Sequence, residues 1–208
     1  MSYKVYEECK VKPKYFFCFI CMLVSRLVTV LFSVYMQLWI ISFEKSGVLS
    51  GKEESDAIYR NIVLGSQIAV LVTMPVFGFL ADKADLRVII PMTFFARCLI
   101  AGSFRFITNP NDWHSYVLSV LMIVISIVQF LSVEVIFMRN MSGQIRGTLS
   151  GAAFFFGSIG TTAFALGGGI MFDKIGPWAP FMLVSGADLV ILVISLVFIC
   201  GGFIKRDD

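Results

Sequence analysis

The sequence has little of the chemistry from which enzyme active sites and metal centres are usually built. It contains a single histidine, His114, and five scattered cysteines. Cys18 and Cys21 form a C-x-x-C pair, but this pair lies inside an apolar stretch without a second ligand pair. We interpret them as two small apolar side chains on one helix face. No His/Glu spacing typical of a metal site is present. We therefore predict no enzymatic activity and no cofactor or metal.

Charge is also scarce, and this excludes a soluble domain. Charged residues make up 15% of the chain and hydrophobic residues 58%, with a mean hydropathy of +0.86. A helix needs about 20 apolar residues to cross a bilayer, so the chain has room for about six. The first apolar run is too long for a signal peptide, and Arg26 interrupts it. We predict an all-α polytopic membrane protein with a six-helix transmembrane domain at 15–204, its helices at residues 15–43, 60–82, 88–107, 115–138, 147–172 and 179–204.

The distribution of basic residues predicts the orientation. With both termini on one side, ten Lys and Arg residues lie on that side and five on the other. Short loops rich in Lys and Arg stay in the cytoplasm. We therefore expect a basic cytoplasmic lead-in (1–14), a cytoplasmic tail (205–208), and outer loops at 44–59, 108–114 and 173–178. The sequence does not indicate which membrane holds the protein.

Four ionisable residues lie within the apolar runs: Arg26, Arg97, Glu134 and Asp188. A charge at bilayer depth costs roughly 2.5–3.5 kcal/mol on insertion scales. Each must therefore face a protein interior or a water-filled cavity and find a partner there. A bundle that keeps charges inside is more typical of transport than of simple anchoring.

Polar residues also follow one side of the first helix. Arg26, Thr29, Ser33 and Gln37 are spaced three or four apart, so they stack on one face. Such a stripe lines a cavity or makes hydrogen bonds to a neighbouring helix, and the spacing leaves both interpretations open.

The fifth helix is rich in glycine. Gly147 and Gly151, and Ala153 and Gly157, are spaced to place small residues on one face. Small residues at this spacing let another helix backbone approach closely. We expect close packing along this face, which would also let the helix slide against its neighbour.

The segment from Gly78 to Arg87 reads G-F-L-A-D-K-A-D-L-R. It resembles the loop signature of the major facilitator superfamily, G-x-L-a-D-[RK]-x-G-[RK]-[RK], and it falls between the second and third helices, as it does there. Asp85 stands where the family has glycine, and Leu86 where it has a basic residue. Glu134 followed by Arg139, and the glycine-rich fifth helix with its following turn, extend the resemblance over nearly the whole chain from residue 15.

The resemblance implies the C-terminal six-helix half of such a transporter, helices seven to twelve. That family moves a small solute by rocking two halves about a midplane site. The implied partners are the lipid bilayer, a small-molecule substrate and a second six-helix half, either a missing N-terminal half or another copy; nucleic acid is not expected. The alternative is a non-transporting scaffold or assembly subunit.

The resemblance also suggests residue roles. In the family the first and fourth helices line the cavity, whereas the third and sixth are peripheral. The substrate-binding candidates are therefore Arg26, Thr29, Ser33, Gln37, Ser126 and Gln129. Arg26, near the midplane, is expected to engage an anionic substrate or a partner carboxylate, and Arg97 and Asp188 are expected to be structural. A conformational charge network is implied for Gly78, Asp82, Lys83, Arg87 and Glu134.

Overall fold

The structure is a computed structural model that describes residues 13–81, 83, 85–139 and 146–200. These residues form helices without any strand, and six of the helices are long and apolar enough to cross a membrane. The predicted all-α polytopic fold is confirmed. The predicted lead-in and tail lie almost entirely outside the described residues. The six spans are Phe17–Lys45, Lys52–Ala81, Arg87–Phe106, Trp113–Arg139, Gly147–Lys174 and Ala179–Cys200.

The second helix begins eight residues earlier than predicted, and the long loop predicted at 44–59 is wrong. The first helix continues to Lys45, and the second starts at Lys52. Its first turn carries Glu53 and Glu54, which suit the positive end of the helix dipole. Glu54 also accepts a hydrogen bond from the Ser50 backbone N–H at 2.7 Å. These charged residues start a helix rather than extend a loop.

The first helix is not one regular α-helix. It consists of α-helical segments Pro13–Ser25, Leu27–Val30 and Met36–Lys45, with a break at Arg26 and a π-helical turn at Leu31–Tyr35. Nothing in the spacing of its apolar residues indicated this. π-turns inside α-helices are often found at functional sites.

Side chains from neighbouring helices donate to backbone carbonyls of this irregular region. The Tyr59 hydroxyl on the second helix lies 3.4 Å from the carbonyl oxygen of Phe32, within the π-turn. Arg97 on the third helix donates to the carbonyl of Val24, just before the break, at 3.4 Å. Freed carbonyls in an apolar surrounding are costly unless a donor reaches them, so these contacts stabilise the irregular shape.

Packing between helices follows a symmetric pattern. The first helix packs mainly on the fifth and the second mainly on the fourth, while the third and sixth pack on each other. Exchange of the first three helices with the last three maps these three pairs onto themselves, as in an inverted three-plus-three repeat. The third helix also packs on the fourth more extensively than the sixth packs on the first, so the symmetry is incomplete.

The close contacts of the fifth helix agree with one of its two predicted small-residue pairs. A Cβ at Gly147 or Gly151 would meet no described atom within 4 Å, so this pair is not where the helices approach. Ala153 is buried, and a Cβ at Gly157 would lie 2.6 Å from Cδ of Arg26, as predicted for a closely packed face. A Cβ at Gly160 would collide with the carbonyl of Leu23, so the close approach continues along the broken part of the first helix.

We call the two ends of the bundle proximal and distal. At the proximal end the second helix ends at Ala81 and the fourth at Arg139, and the distal end holds the connections 46–51, 107–112 and 175–178. The candidate site lies toward the proximal end.

Candidate functional site

Arg97 and Asp188 form an ion pair in the middle of the described bundle. Both side chains are 0% exposed. Arg97 Nε lies 2.7 Å from Asp188 Oδ2, and a second nitrogen of the guanidinium pairs with Oδ1. This two-bond geometry is the strongest form of a charge-assisted pair. The pair joins the third helix to the sixth, which favours the structural role expected of it, and Nη1 of Arg97 has no hydrogen-bond partner among the described residues.

Two of the predicted substrate-binding residues lie in this core. Ser126 and Gln129 on the fourth helix are both 0% exposed. The Ser126 hydroxyl donates to the carbonyl of Met122 at 2.6 Å. The Gln129 amide approaches the Asp188 carboxylate, but no contact of its amide atoms meets hydrogen-bond geometry. In this arrangement they belong to the buried polar core and do not share a surface with the first-helix candidates.

Thr29, Ser33 and Gln37 lie on a different surface. All three side chains are exposed, so no other described helix covers this side of the first helix. The sequence analysis left open whether the stripe lines a cavity or binds a neighbouring helix, and within the described part of the chain no helix covers it. The stripe is an open polar face about two turns long, in a helix that is otherwise strongly apolar.

The open polar face has counterparts that the sequence analysis missed. Ser158 and Thr162 are exposed on the fifth helix, which packs on the first, and Gln67 is exposed on the second. Ser158 and Thr162 are four residues apart, and this helical spacing was the signal that could have identified them.

Arg26 lies at the break of the first helix with its guanidinium between two aromatic rings. Its Cζ is 4.2 Å from the ring centroid of Phe154 and 5.3 Å from that of Phe130. Nε is buried and has no hydrogen-bond partner among the described residues. The rings provide cation–π attraction, and the guanidinium keeps unused donors.

Arg26 shares a small cavity with Glu134. The cavity holds room for about one water molecule. No nitrogen of Arg26 lies within 4 Å of a Glu134 carboxylate oxygen, so the two charges face one cavity without a direct ion pair. The lining residues are Met22, Arg26, Phe130, Glu134, Phe137, Met138, Ser150, Ala153 and Phe154.

The depth of Arg26 differs from the midplane position expected from the sequence. Met138 stands one residue before the end of the fourth helix and Ser150 lies in the first turns of the fifth, so the cavity is near the proximal end. A long side chain carries its charge several ångströms from its own Cα toward the polar interface. The guanidinium therefore lies closer to the proximal surface than residue counting indicated.

Among the described residues the loop signature forms a local ion pair, and Asp82, through which the relay is expected to run, lies outside them. Arg87 pairs with Asp85 at 2.6 Å, and the Asp85 carboxylate also accepts from the Arg87 backbone N–H at 3.0 Å, capping the third helix. Asp85, which stands where the resembling loop signature has glycine, therefore acts as a helix cap. Glu134 makes no ion pair with Arg87 and lies instead in the Arg26 cavity.

The remaining network residues lie near the proximal surface. Lys83 Nζ lies 4.2 Å from the ring centroid of Phe79. Gly78 is exposed, and an added Cβ there would meet no described atom within 4 Å. Arg139 donates to the carbonyl of Ala81 at 3.1 Å, which ties the fourth helix to the end of the second. Asp82 lies outside the described residues.

No group of three or more metal-ligating side chains occurs within residues 13–81, 83, 85–139 and 146–200. His114 packs against the ring of Trp113 at the start of the fourth helix, with 3.8 Å between ring centroids.

Comparison with known proteins gives two distant relatives. The chain is 27% identical to magnetosome protein MamH of Paramagnetospirillum magneticum over 196 residues, and 24% identical to magnetosome protein MamZ of the same bacterium over 198 residues. Each alignment covers more than nine-tenths of this chain but only 44% of MamH and 30% of MamZ, so the chain spans less than half of either relative. No protein-family model and no solved structure matches it.

Proposed function

We propose that this chain is one six-helix half of an alternating-access transporter for a small, anionic solute. The observation that carries the proposal is the first helix, in which an arginine without an ion-pair partner among the described residues leads into a polar face that no described helix covers. An exposed polar stripe on an apolar helix is costly against lipid and favourable against a water-filled path. A second half would enclose that path, and both relatives are long enough to hold one.

In this proposal Arg26 attracts the anion, and Glu134 competes with the anion for the Arg26 guanidinium. The guanidinium already has donors without a partner, and the aromatic rings hold it in place. A small shift of the fourth helix would bring the carboxylate into direct contact with the guanidinium. Solute binding and pairing with Glu134 are then alternatives, which is the kind of differential interaction that shifts a conformational equilibrium.

The stripe can be tested without knowledge of the solute. Single cysteines at Thr29, Ser33 and Gln37, in a chain without other cysteines, are treated in vesicles with a membrane-impermeant maleimide. We expect the maleimide to label these cysteines only when a second six-helix half or a second copy is present. The extent of labelling should differ between reagent added to one side of the membrane and reagent added to the other. The matched control is Val190→Cys, which is 58% exposed on the apolar sixth helix and should stay unlabelled.

The proposal fails if Ser33→Cys reacts as slowly as Val190→Cys under every condition. That outcome would mean that the stripe faces lipid or is permanently covered by a partner helix, as in a scaffold.

The second candidate function is a non-transporting assembly subunit of the magnetosome membrane. Both relatives are named for that organelle. A fluorescent fusion in a magnetosome-forming bacterium tests the location of the protein. The maleimide labelling of the stripe cysteines, which needs no solute, then distinguishes a transporter half from an assembly subunit.

We also propose that both termini lie in the cytoplasm. The excess of Lys and Arg at the proximal side supports this orientation. Cysteines at Ser50 and Lys83 should then be labelled from opposite sides of the membrane, and labelling from the same side would contradict the orientation.

A further inference from the structure

A pocket of about 250 Å³ opens at the distal end, away from the Arg26 cavity. It is just below the ~300–1,000 Å³ typical of pockets for drug-sized ligands. Its lining comes from the end of the first helix, the end of the third and the turn before the sixth: Trp39, Ser42, Phe43, Ser46, Phe104, Arg105, Ile107, Pro177 and Trp178. We call it the distal pocket.

The floor of the distal pocket is aromatic and rigid. Trp39 and Phe104 are each 1% exposed, and their ring centroids are 5.5 Å apart. Phe104 stacks on Phe181 at 4.3 Å, and Trp39 packs edge-on against Phe43 at 5.1 Å. Such a cluster provides apolar area with little freedom to collapse, so the space above it is a lasting feature.

The mouth of the pocket carries a cation with unused donors. Arg105 is exposed, and its Cζ lies 4.6 Å from the ring centroid of Trp178. A guanidinium stacked on a ring keeps its in-plane N–H groups for another partner, and the fork of these groups matches a phosphate. No described residue accepts a hydrogen bond from Arg105.

Two hydroxyl oxygens in the pocket are available as hydrogen-bond acceptors. Ser42 donates its proton to the carbonyl of Trp39 at 2.6 Å, and Ser46 donates to the carbonyl of Phe43 at 3.0 Å. A ligand with donors of its own can bond both oxygens while these internal bonds stay in place. The pocket therefore combines a phosphate-binding cation with acceptors for hydroxyl or ammonium groups.

The surroundings of the distal pocket indicate where such a ligand comes from. The third and sixth helices expose apolar side chains, among them Phe95, Leu99, Val190, Val193 and Val197. These faces contact lipid in a membrane, and Trp178 stands at the level where aromatic residues meet headgroups. The pocket mouth is thus beside the lipid headgroups of one leaflet.

We propose that the distal pocket binds the headgroup of a glycerophospholipid that carries hydroxyl or ammonium donors, with the phosphate on Arg105. Phosphatidylglycerol and phosphatidylethanolamine have this chemistry, whereas phosphatidylcholine lacks the donors. The site does not depend on transport.

The test is native mass spectrometry of the full chain released from vesicles of phosphatidylglycerol and phosphatidylcholine in equal amounts. We expect one phosphatidylglycerol retained per chain, at least fivefold over phosphatidylcholine. Arg105→Ala should lower this retention about tenfold, and Arg105→Lys should lower it less because the charge remains. The matched control is Arg60→Ala, an exposed arginine outside the pocket lining, which should leave retention unchanged.

Three outcomes would overturn the proposal. Equal retention of the two lipids would exclude headgroup recognition, and equal retention by Arg105→Ala and Arg60→Ala would exclude the site. Complete displacement of the lipid by soluble glycerol phosphate would show that a soluble phosphate ester is the occupant. If Arg105→Ala does not fold, Ser42→Ala is tested instead. Loss of this acceptor should reduce the preference for phosphatidylglycerol over phosphatidylcholine, and an unchanged preference would overturn the proposal.

Discussion

Two arginines lie inside apolar helices of this bundle, and their surroundings are opposite in kind. Arg97 is fully buried, and its guanidinium makes two bonds to one carboxylate. Arg26 is half-buried, lies between two aromatic rings and shares a cavity with a carboxylate that it does not touch. In the first arrangement a carboxylate neutralises the charge, although Nη1 of Arg97 has no hydrogen-bond partner among the described residues. In the second no described carboxylate bonds the guanidinium, which opens beside a polar face, and this difference separates a structural charge from one that can act.

The largest effect is expected at the buried ion pair. Arg97→Ala or Asp188→Asn leaves one buried charge or donor group without its partner, and we expect each to lower the free energy of unfolding by about 3–5 kcal/mol. Replacing both with apolar residues, Arg97→Met with Asp188→Leu, should restore most of the loss. Thermal unfolding in detergent measures all three variants. Single variants that unfold like the wild type would show that the pair is not what holds the third helix to the sixth.

The next largest effect is expected where the glycines of the fifth helix let the broken part of the first helix approach closely. Gly160→Ala places a Cβ against the carbonyl of Leu23, and overpacking of this kind costs about 1–3 kcal/mol. Gly151→Ala on the same helix meets no described atom and should be neutral or slightly stabilising, since alanine favours a helix. Equal effects of the two substitutions on the unfolding temperature would contradict the close approach.

Arg26→Ala should cost less than Arg97→Ala. Its described partners are aromatic rings, and a cation–π contact contributes about 0.5–2 kcal/mol. Arg26→Lys keeps the charge but loses the planar fork, so in a complete transporter it should weaken uptake of an anionic solute more than it weakens folding. If Arg26→Ala lowers the free energy of unfolding as much as Arg97→Ala does, the two arginines contribute equally to stability. The distinction between a structural arginine and one that can act would then be wrong.

The smallest effect is expected for Glu134→Gln. Because no ion pair within 4 Å is lost, we expect a change of less than about 1 kcal/mol in the free energy of unfolding. Asp188→Asn, the same chemical change at the buried ion pair, serves as the matched comparison. A loss at Glu134 as large as that at Asp188 would show that the cavity charges pair directly.

Hydropathy was enough to predict the six spans, because long apolar runs have few alternatives in lipid. It could not predict that the second helix starts at Lys52, since the charged first turn reads locally as a loop. The local cap at Glu54 favours this start, and a contact between the first two helices, the hydrogen bond from the Ser55 hydroxyl to Glu44, adds to it.

The candidate site was predictable only in part. The polar stripe followed from helical spacing, which places Thr29, Ser33 and Gln37 on an uncovered surface. The separation of Ser126 and Gln129 into the core did not follow, because spacing along one helix does not reveal which neighbour faces it. Likewise, the pairing of Arg97 with Asp188 joins residues 91 positions apart. The cavity that Arg26 shares with Glu134 depends on the break in the first helix and on the absence of a side chain at Gly157.

The π-turn at Leu31–Tyr35 also constrains which changes in chain length this protein can accept. A π-turn holds one residue more than an α-turn, so deletion of one residue between 31 and 35 would let the helix become regular. Because the π-turn spreads one extra residue over about the same total rotation as a regular α-turn, Met36–Lys45 would keep about its present orientation, and Trp39 would keep its contacts with Phe104 and Phe181. Each residue of a regular α-helix corresponds to a rotation of about 100°. A one-residue deletion in the regular segment Met36–Lys45 would therefore turn everything beyond it by about that angle, whereas the same deletion within the π-turn would leave the distal end of the first helix in register.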